Sequence, residues 1–336
     1  MPDALDRLCD WIAIDSVTGH EGDYGDALAR HVASLGFAVE RQELEPGRFN
    51  VLARADEPEL VFCTHLDTVP PFFGPRRAGA TIHGRGACDA KGPALAMIEA
   101  ARRLVRSGER RIGFLFTVGE ETDGGGAQLA NRATSERWRP RWTIIGEPTD
   151  NRFVRGGKGV FKGTLRAHGV ASHSSRPLGP SAIHELVRVL ARLLDEGWGE
   201  HPVFGRGSIN FGLVQGGVAS NVVAPSASAA LMARVVEDPG AVEARIRARL
   251  TKEVEFEAEK SYGPVEFHVP AAHAKDAPVV AFGTDAPWLT RFGTRLLYGP
   301  GSIDDAHTDH EKLATASFER AVGEYERTAR ELLARG

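Results

Sequence analysis

Four short apolar segments of the sequence are each followed closely by histidine or carboxylate side chains, and this recurrence limits the possible fold more than any other feature. The first segment, residues 60–64, reads as a buried strand and runs directly into His65 and Asp67. Open α/β sheets collect their functional side chains at the carboxyl ends of parallel strands. The pattern therefore predicts an α/β fold with a mainly parallel sheet and a site at one edge.

The other three segments release the same kinds of side chain. Residues 111–118 are followed by Glu120 and Glu121, residues 142–145 by Glu147, and residues 295–298 by a glycine-rich stretch and then His307. Helical spacing between the strands supports a mainly parallel core. Two imidazoles and several carboxylates, without a thiolate, form a donor set that suits two divalent ions of the Zn, Co or Mn type.

Asp89 belongs to the same region, because it follows a glycine-rich turn and precedes a helical stretch with Pro93 in its first turn. Taken alone, Asp89 is also explained as a helix N-cap, and His65 as a buried histidine satisfied by Asp67. An H-x-D pair equally describes a metal-binding imidazole whose second nitrogen is oriented by a carboxylate. Since three further strands end in ligand-type residues, we favour metal binding.

The motifs HLDTVPP, GRGACDAKG, GEE, GEPT and GPGSIDDAHTDHE follow one another along nearly the whole chain. In this order they resemble the signature of the co-catalytic metallohydrolases of peptidase family M20, which include acetylornithine deacetylase, succinyl-diaminopimelate desuccinylase, aminoacylase and glutamate carboxypeptidase. The resemblance implies that His65 and Glu147 hold one ion, that Glu121 and His307 hold a second, and that Asp89 bridges the two. Zn is the expected metal, with Co or Mn as alternatives.

Two cations about 3.5 to 4 Å apart can bridge a water molecule and lower its pKa toward neutrality, so that a nucleophile exists without an activated side chain. A carboxylate that is not a ligand can then carry the proton to the leaving nitrogen. The resemblance assigns this general-base role to Glu120 and places Asp67 beside it in the catalytic set. It also implies that His173, in the segment Ala-Ser-His-Ser-Ser, enters the active site of a partner subunit and stabilises the oxyanion.

Four further residues are predicted to bind substrate. Asn221 and Arg234 resemble family residues that contact the substrate, and Gly301 and Ser302 are assigned to the same role. The sequence alone favours a turn residue at Asn221 and a surface strand residue at Arg234. The substrate-binding role therefore depends on the resemblance.

Residues 156–268 form an insertion between the strand before Glu147 and the strand before His307. Their patterns predict strands at 160–168, 208–214, 228–236 and 254–259, with helices at 181–194 and 242–250. This βαββαβ order is that of the ferredoxin-like split unit. We therefore predict a catalytic domain of residues 1–155 and 269–336 and an inserted domain of residues 156–268. In the relatives the inserted domain is a lid and a dimer surface, which implies a homodimer.

The segment Gly-Thr-Asp-Ala-Pro at 283–287 resembles acetylornithine deacetylases more than desuccinylases. It favours removal of a small acyl group from an N-acyl amino acid, although Asp285 and Pro287 also describe an ordinary helix start. A desuccinylase, a LysW-lysine hydrolase, an acetylcitrulline or acetyl-lysine deacetylase and a dipeptidase or carboxypeptidase would use the same metal site. A nucleotide-binding protein is disfavoured because the turn at 84–89 lacks the third glycine of G-x-G-x-x-G. A catalytically silent relative is disfavoured by the intact ligands and base.

Charge and cysteine content exclude several other classes. The formal net charge of −4 provides no basic surface for nucleic acid, and no apolar run approaches the roughly 18 residues of a membrane span. The N-terminus lacks the features of a secretory signal. Three cysteines without metal-site spacing are typical of a reducing compartment. We therefore expect a cytoplasmic enzyme that binds neither nucleic acid nor membranes.

Overall fold

The computed structural model describes residues 2–334, with side chains described from residue 4 onward, and divides into two units. Unit 1 contains the described residues up to Arg155, the segment Phe267–Pro278 and the described residues from Thr284 onward. Unit 2 contains Gly156–Glu266 and Val279–Gly283. Each unit has its own hydrophobic core.

The first part of unit 1 alternates helices and strands. In chain order its elements are α1 (Pro2–Ile12), α2 (Gly22–Ser34), β1 (Ala38–Glu45), β2 (Arg48–Arg54), β3 (Leu60–His65), β4 (Arg76–Ala78), β5 (Thr81–His83), α3 (Lys91–Arg106), β6 (Ile112–Thr117), α4 (Gly125–Ala133), a short 3-10 helix (Glu136–Trp138) and β7 (Trp142–Ile145).

The remaining elements comprise those of unit 2 and the return of the chain to unit 1. They are β8 (Gly156–Gly157), β9 (Gly159–His168), α5 (Ala182–Leu194), β10 (Glu200–His201), β11 (Gly205–Arg206), β12 (Ser208–Gly216), β13 (Ser226–Val235), α6 (Pro239–Arg247), β14 (Val254–Tyr262), β15 (Val265–Glu266), a 3-10 helix (Ala271–His273), β16 (Val279–Val280), β17 (Thr294–Leu297), β18 (Lys312–Ala314) and α7 (Thr315–Leu333).

Unit 1 is built on a six-stranded sheet with the order β1-β2-β6-β3-β7-β17. The strands β6, β3, β7 and β17 are parallel, whereas β1 and β2 are joined antiparallel at one side. Every residue of β3 and of β6 is buried, which is typical of parallel strands covered on both faces. The mainly parallel α/β sheet predicted from the apolar segments is therefore observed.

Unit 2 contains a four-stranded antiparallel sheet with the order β12-β13-β9-β14. Leaving aside the two-residue strands β10 and β11, its elements follow one another as strand, helix, strand, strand, helix and strand. Alternate residues of β13 are buried, and α5 packs against β13 and β9 through a core that includes Leu165, Leu186 and Val189. The sheet thus has one face covered by helices.

The structure moves several predicted boundaries. The helix predicted at 242–250 begins at Pro239 and ends at Arg247, because the Asp238 carboxylate accepts a hydrogen bond from the Gly240 amide and Pro239 suits a first turn. Val279 and Val280, predicted to lie in the catalytic domain, belong to unit 2 since β16 pairs with β8. Within residues 2–334, no helix is long and apolar enough to cross a bilayer.

Candidate metal centre

The predicted ligand residues of unit 1 emerge at the same edge of the six-stranded sheet. His65 is the last residue of β3 and lies opposite Thr117, the last residue of β6. The register also aligns β3 with β7, whose last residue is followed after one glycine by Glu147. Parallel strands end on the same side, so His65, the acids after β6 and Glu147 are brought together by the sheet itself.

Asp89 lies between two histidines. Its Oδ1 atom is 2.9 Å from Nε2 of His65, and its Oδ2 atom is 3.2 Å from Nε2 of His307. Glu121 also faces His307, with 3.0 Å between Oε1 and Nε2. Each oxygen of Asp89 therefore faces a different imidazole, which is the arrangement that a bridging carboxylate requires.

Further potential ligands lie close to Asp89. His65, Asp89 and Glu121 each offer a ligand atom, and these atoms all lie within 4.8 Å of one another, so this group could hold a metal ion. Glu147, which follows β7, lies near the same histidine. Its Oε2 atom is 3.9 Å from Nε2 of His65. His307, which is about half exposed, contacts the Asp89 and Glu121 side of the cluster.

The electrostatics of this cluster favour added positive charge. Burial raises the pKa of Glu147 well above its ordinary value, and the charge of Asp89 adds to the rise. Burial and Asp89 also raise the pKa of Glu121. Hydrogen bonds to Asp89 and Glu121 raise the pKa of His307 to about 10. Without a cation, these buried acids share protons with the imidazoles. Together the acids and imidazoles form a nitrogen and oxygen donor set that suits divalent cations.

The Nδ1 atom of His65 faces both the backbone and the carboxylate of Asp67. This atom lies 2.9 Å from the backbone carbonyl oxygen of Asp67 but 3.5 Å from the nearer carboxylate oxygen of that residue. The carboxylate of Asp67 also accepts hydrogen bonds from the backbone N–H groups of Glu120 and Glu121, at 3.1 and 3.2 Å, and from the Thr18 hydroxyl at 2.8 Å. Asp67 therefore contacts His65 most closely through its carbonyl, and its carboxylate lies between His65 and the acidic turn, which is the turn that holds Glu120 and Glu121.

Glu120 shares this turn with Glu121 but does not face either histidine of the ligand cluster within ion-pair distance. Burial raises the pKa of Glu120 well above its ordinary value; His65 opposes the rise, whereas Asp285 and Glu121 add to it. Asp285 is itself buried and accepts a hydrogen bond of 2.5 Å from the Thr117 hydroxyl at the end of β6. No helix begins at Asp285 in the described structure, so the helix start considered for this segment is wrong.

Gly301 and Ser302 have structural contacts in the loop that leads to His307. Gly301 has a φ of +87°, and a Cβ placed there would lie 2.4 Å from Cβ of Cys88. The loop can therefore approach the Asp89 segment closely only because residue 301 is glycine. Ser302 accepts a backbone hydrogen bond from Asp305 and forms a bridge with Thr149.

The predicted residues of unit 2 lie on its loops and sheet. His173 is exposed, and its Nδ1 atom accepts a hydrogen bond of 3.2 Å from the Ser175 amide. The Ser174 amide donates to the Asn221 carbonyl at 3.0 Å, so the loops that carry His173 and Asn221 are adjacent. Arg234 is half-buried on β13, and among residues 2–334 its side chain has no ion-pair partner.

Two residues missed by the sequence reasoning support the cluster. Glu311 is fully buried, and one of its carboxylate oxygens accepts hydrogen bonds from the amides of Cys88 and Asp89. Thr18 contacts Asp67, as described above. Glu311 is the last residue of the GPGSIDDAHTDHE motif, and its place in that motif could have identified it as part of the site. Because Glu311 binds amides that a phosphate would need in the turn at 84–89, the structure also disfavours the nucleotide-binding alternative.

Known proteins are similar to nearly the whole chain. The profile described as peptidase family M20/M25/M40 matches residues 61–331. A protein of Uncinocarpus reesii named as a probable carboxypeptidase is 33% identical to this chain, over an alignment that covers 96% of this chain and 85% of that protein.

Solved structures share the fold at lower sequence identity. The aminopeptidase PepT of Bacillus cereus matches with a TM-score of 0.80 and 19% identity, and the match covers 96% of each chain. The Bacillus subtilis YXEP protein, described as a dinuclear metal binding peptidase from M20 family, matches with a TM-score of 0.72 and 14% identity over 97% of this chain and 96% of that chain. At such identities the likeness shows the fold alone.

Proposed function

The chain belongs to peptidase family M20/M25/M40, and on that premise we propose that it is a metal-dependent hydrolase of amide bonds whose nitrogen belongs to a residue with a free α-carboxylate. N-acyl amino acids and short peptides both contain this bond. The proposal is carried by the position of Asp89, whose two carboxylate oxygens face His65 and His307. The surrounding acids complete a donor set for two ions.

We assign His65 and Glu147 to one divalent ion, Glu121 and His307 to the second, and Asp89 to both. Zn is the proposed metal, and Co or Mn would accept the same donors. When bound, such ions polarise an amide carbonyl and lower the pKa of a water molecule toward neutrality. The raised pKa values of Glu121 and Glu147 support this assignment, because buried acids of one cluster are stabilised in their ionised form by nearby cations.

Glu120 is the proposed proton carrier. It lies next to the ligand Glu121, and the turn that holds both residues is fixed by the Asp67 carboxylate through their backbone amides. Positive charge nearby would lower the pKa of Glu120 and favour the ionised form that accepts a proton. Asp67 thereby serves catalysis by positioning Glu120 as well as by contacting His65.

Two substrate classes fit the same bond. The Gly-Thr-Asp-Ala-Pro segment supports removal of a small acyl group, as in acetylornithine deacetylase, whereas the relative named as a probable carboxypeptidase supports cleavage of a C-terminal residue. The hydrogen bond from Thr117 to Asp285 gives this segment a structural role beneath the acidic turn, which weakens its value for identifying the acyl group. We therefore propose carboxypeptidase and deacylase activity as equal candidates.

Arg234 is the proposed receptor for the substrate carboxylate, with Asn221, Gly301 and Ser302 as further substrate contacts. A guanidinium binds a carboxylate through two parallel hydrogen bonds. The absence of an ion-pair partner for Arg234 among the described residues leaves its donors available for such a ligand. This role also accounts for a positive charge that is half-buried on the sheet of unit 2.

We propose that unit 2 is a ferredoxin-like lid that also forms a homodimer. Its order of elements and strands is that of a split βαββαβ unit. Exposed apolar side chains occur on α5, at Ile183, Val187 and Leu194, and on the edge strand β12, at Leu213 and Val214. An apolar helix stripe beside an unpaired strand edge is a surface that a second copy would cover. His173 would then act on the partner's substrate.

A cytoplasmic location is proposed from the cysteines. Cys9, Cys63 and Cys88 are all free thiols, and Cys63 and Cys88 are buried. Reduced cysteines are usual in reducing compartments. Cell fractionation with an antibody against the protein would test this location.

The function is tested with a matched set of substrates that share one C-terminal amino acid. The set contains the N-acetyl, N-succinyl, dipeptide and N-blocked dipeptide forms, each with a free or an amidated carboxyl group. Protein stripped with a chelator and reloaded with Zn²⁺, Co²⁺ or Mn²⁺ should hydrolyse the amide bond much faster in substrates with a free carboxyl group than in the amidated ones. The preferred acyl group separates deacylase from carboxypeptidase. Hydrolysis by stripped protein, or equal rates on the amidated substrates, would contradict the proposal.

A further inference from the structure

Glu311 is a buried charge that the proposed reaction does not use. Its side chain is fully buried, and its Oε2 atom lies 2.7 Å from Nη1 of Arg85, whose side chain is 1% exposed. A buried carboxylate is costly unless its charge and its lone pairs are satisfied. Arg85 supplies the charge, and the remaining partners of Glu311 show which part of the molecule depends on it.

Those partners are backbone amides of the segment that carries Asp89. The Oε1 atom of Glu311 accepts hydrogen bonds from the Cys88 amide at 3.0 Å and from the Asp89 amide at 3.1 Å. The backbone carbonyl of Glu311 also accepts from the Gly84 amide at 3.1 Å. One residue thus binds both ends of the turn that precedes Asp89.

The local sheet explains why Glu311 is available at this place. Glu311 directly precedes β18, which pairs antiparallel with β5, and Gly84 directly follows β5. This pairing sets the loop containing His307 beside the turn containing Asp89. Because His307 and Glu311 are four residues apart, the same short segment contacts the carboxylate of Asp89 and its backbone.

We propose that Glu311 is a positioning residue that fixes the backbone of Asp89 relative to His307 and so holds both histidine-facing oxygens of Asp89 in place for metal binding. Small displacements of a ligand impair a metal site, and partners that orient ligands commonly change metal affinity by about 10- to 100-fold. Arg85 has the separate role of balancing the charge. The inference rests on the proposed metal site.

Two variants separate a positioning role of Glu311 from a role in stability. Arg85→Met leaves Glu311 on the amides of Cys88 and Asp89 but removes its counter-charge. The double substitution Arg85→Met with Glu311→Leu removes both charges together with the acceptor for these amides. Leaving one buried charge unpaired is more destabilising than replacing the pair by apolar groups. Arg85→Met should therefore be the less stable protein and the double variant the weaker metal binder.

The measurement is a Zn²⁺ titration of chelator-stripped protein against a chromogenic chelator, with thermal unfolding of the same stripped samples. The double variant and Glu311→Leu should bind at least one Zn²⁺ equivalent about 10- to 100-fold more weakly than the wild type, whereas Arg85→Met should keep the wild-type affinity. Glu311→Gln retains an oxygen acceptor and should also keep it. Leu104→Ala, at a buried position near the end of α3, provides a destabilised control without a contact to the cluster.

The outcomes distinguish the inference from its premise. If metal affinity follows thermal stability, so that Arg85→Met is the weakest binder, Glu311 has only a structural role. If the double variant binds Zn²⁺ as tightly as the wild type, the inference is also overturned. A wild-type protein that binds no Zn²⁺ would instead contradict the proposed metal site itself.

Discussion

The candidate ligands of unit 1 and the candidate substrate contacts of unit 2 differ in how far the surrounding chain determines their positions. Asp67, Asp89 and Glu121 are buried, and neighbouring side chains or backbone amides bind them. His173 is exposed on a loop of unit 2. Arg234 is half-buried there, and no described residue forms an ion pair with it. Neighbouring residues therefore fix the charges of unit 1, whereas we propose that the substrate or a second subunit supplies the partners of His173 and Arg234.

This difference has a physical origin in the two sheets. The parallel strands β3 and β6 are buried along their whole length, so the residues at their carboxyl ends begin from fixed positions. The antiparallel sheet of unit 2 is covered by helices on one face, and β12 is an exposed edge. Substitutions of the candidate ligands in unit 1 should consequently affect stability, metal binding and turnover together, and substitutions of the candidate substrate contacts in unit 2 should affect turnover alone.

Glu120→Gln should have the largest effect on turnover, and it is an exception in unit 1 because stability and metal binding should not change with it. Glu120 is the proposed proton carrier, and the substitution keeps the size of the side chain while removing its basic group. We expect kcat to fall by about 10²- to 10⁴-fold, with bound metal and thermal stability unchanged. Steady-state kinetics, elemental analysis and thermal unfolding of one protein preparation measure all three quantities.

Asp89→Asn is the matched control, because it also exchanges one acid for its amide in the same cluster. It removes the charge that faces both histidines, so bound metal should fall together with activity. Asp304→Asn, on the exposed surface of the His307 loop, should change neither. Two equivalents of metal in Asp89→Asn, or normal turnover in Glu120→Gln, would show that the two roles have been assigned wrongly.

The sequence predicted the elements whose hydrophobic pattern repeats within a short stretch of the chain. The four ligand-bearing strands and the βαββαβ order of unit 2 all follow from apolar periodicity, and they are present in the structure. The small sheet formed by β18, β5 and β4 was not predicted, because three-residue strands contain too few side chains to show a period. Glu311 is positioned by that sheet, so its role could not be derived before the pairing was known.

The orientation of His65 shows a second limit. The H-x-D spacing places a carboxylate two residues from the imidazole, but backbone geometry decides which oxygen of Asp67 the ring contacts. The carboxylate lies 3.5 Å from the ring and also accepts hydrogen bonds from the amides of Glu120 and Glu121, which are 53 and 54 residues away in the chain. Such a contact depends on where two separate strands end relative to each other. The sequence of either strand alone does not predict it.

His173 provides the next largest effect and tests unit 2 as a dimer surface. His173→Ala should lower kcat by about 10²- to 10³-fold, the usual loss on removing one group that stabilises an oxyanion. If His173 acts on the partner's substrate, mixing this variant with Glu120→Gln should restore activity, because one site of each mixed dimer contains both intact residues. Random exchange should recover about a quarter of the wild-type rate, since half of the dimers are mixed.

The control is subunit exchange itself, followed with two affinity tags on the two variants. Exchange that is complete by pull-down but restores no activity would show that His173 does not act in the partner's site. A protein that remains monomeric during size-exclusion chromatography would contradict the proposed dimer surface on α5 and β12.

Arg234→Ala should give a smaller effect that is confined to recognition. The loss of a bidentate partner for the substrate carboxylate should lower kcat/KM by roughly 2 to 4 kcal/mol for substrates with a free carboxyl group. Substrates with an amidated carboxyl group should be poor for the wild type and hardly affected by the substitution. Thermal stability should be unchanged, because Arg234 has no ion pair to lose among the described residues.

Arg166→Ala is a suitable control in the same sheet, because Arg166 lies on β9 and pairs with the exposed Glu257. That exposed pair should contribute little to stability, and its removal should leave both substrate types unaffected. Equal losses on free and amidated substrates in Arg234→Ala would assign Arg234 a structural role in unit 2.

The smallest expected effect belongs to Thr18→Val and tests whether unit 1 couples stability to turnover. Thr18 donates one of three hydrogen bonds to the buried Asp67 carboxylate, and the other two come from the amides of Glu120 and Glu121. Losing one neutral donor while two remain should destabilise the protein by about 1 kcal/mol. Because the same carboxylate holds the acidic turn, kcat should fall by about fivefold, which is also about 1 kcal/mol. Thr18→Ser keeps the hydroxyl and should restore both values. A stability loss in Thr18→Val without any change in kcat would show that the turn holding Glu120 and Glu121 keeps its position without the Thr18 hydrogen bond, so that stability and turnover are not coupled through this contact.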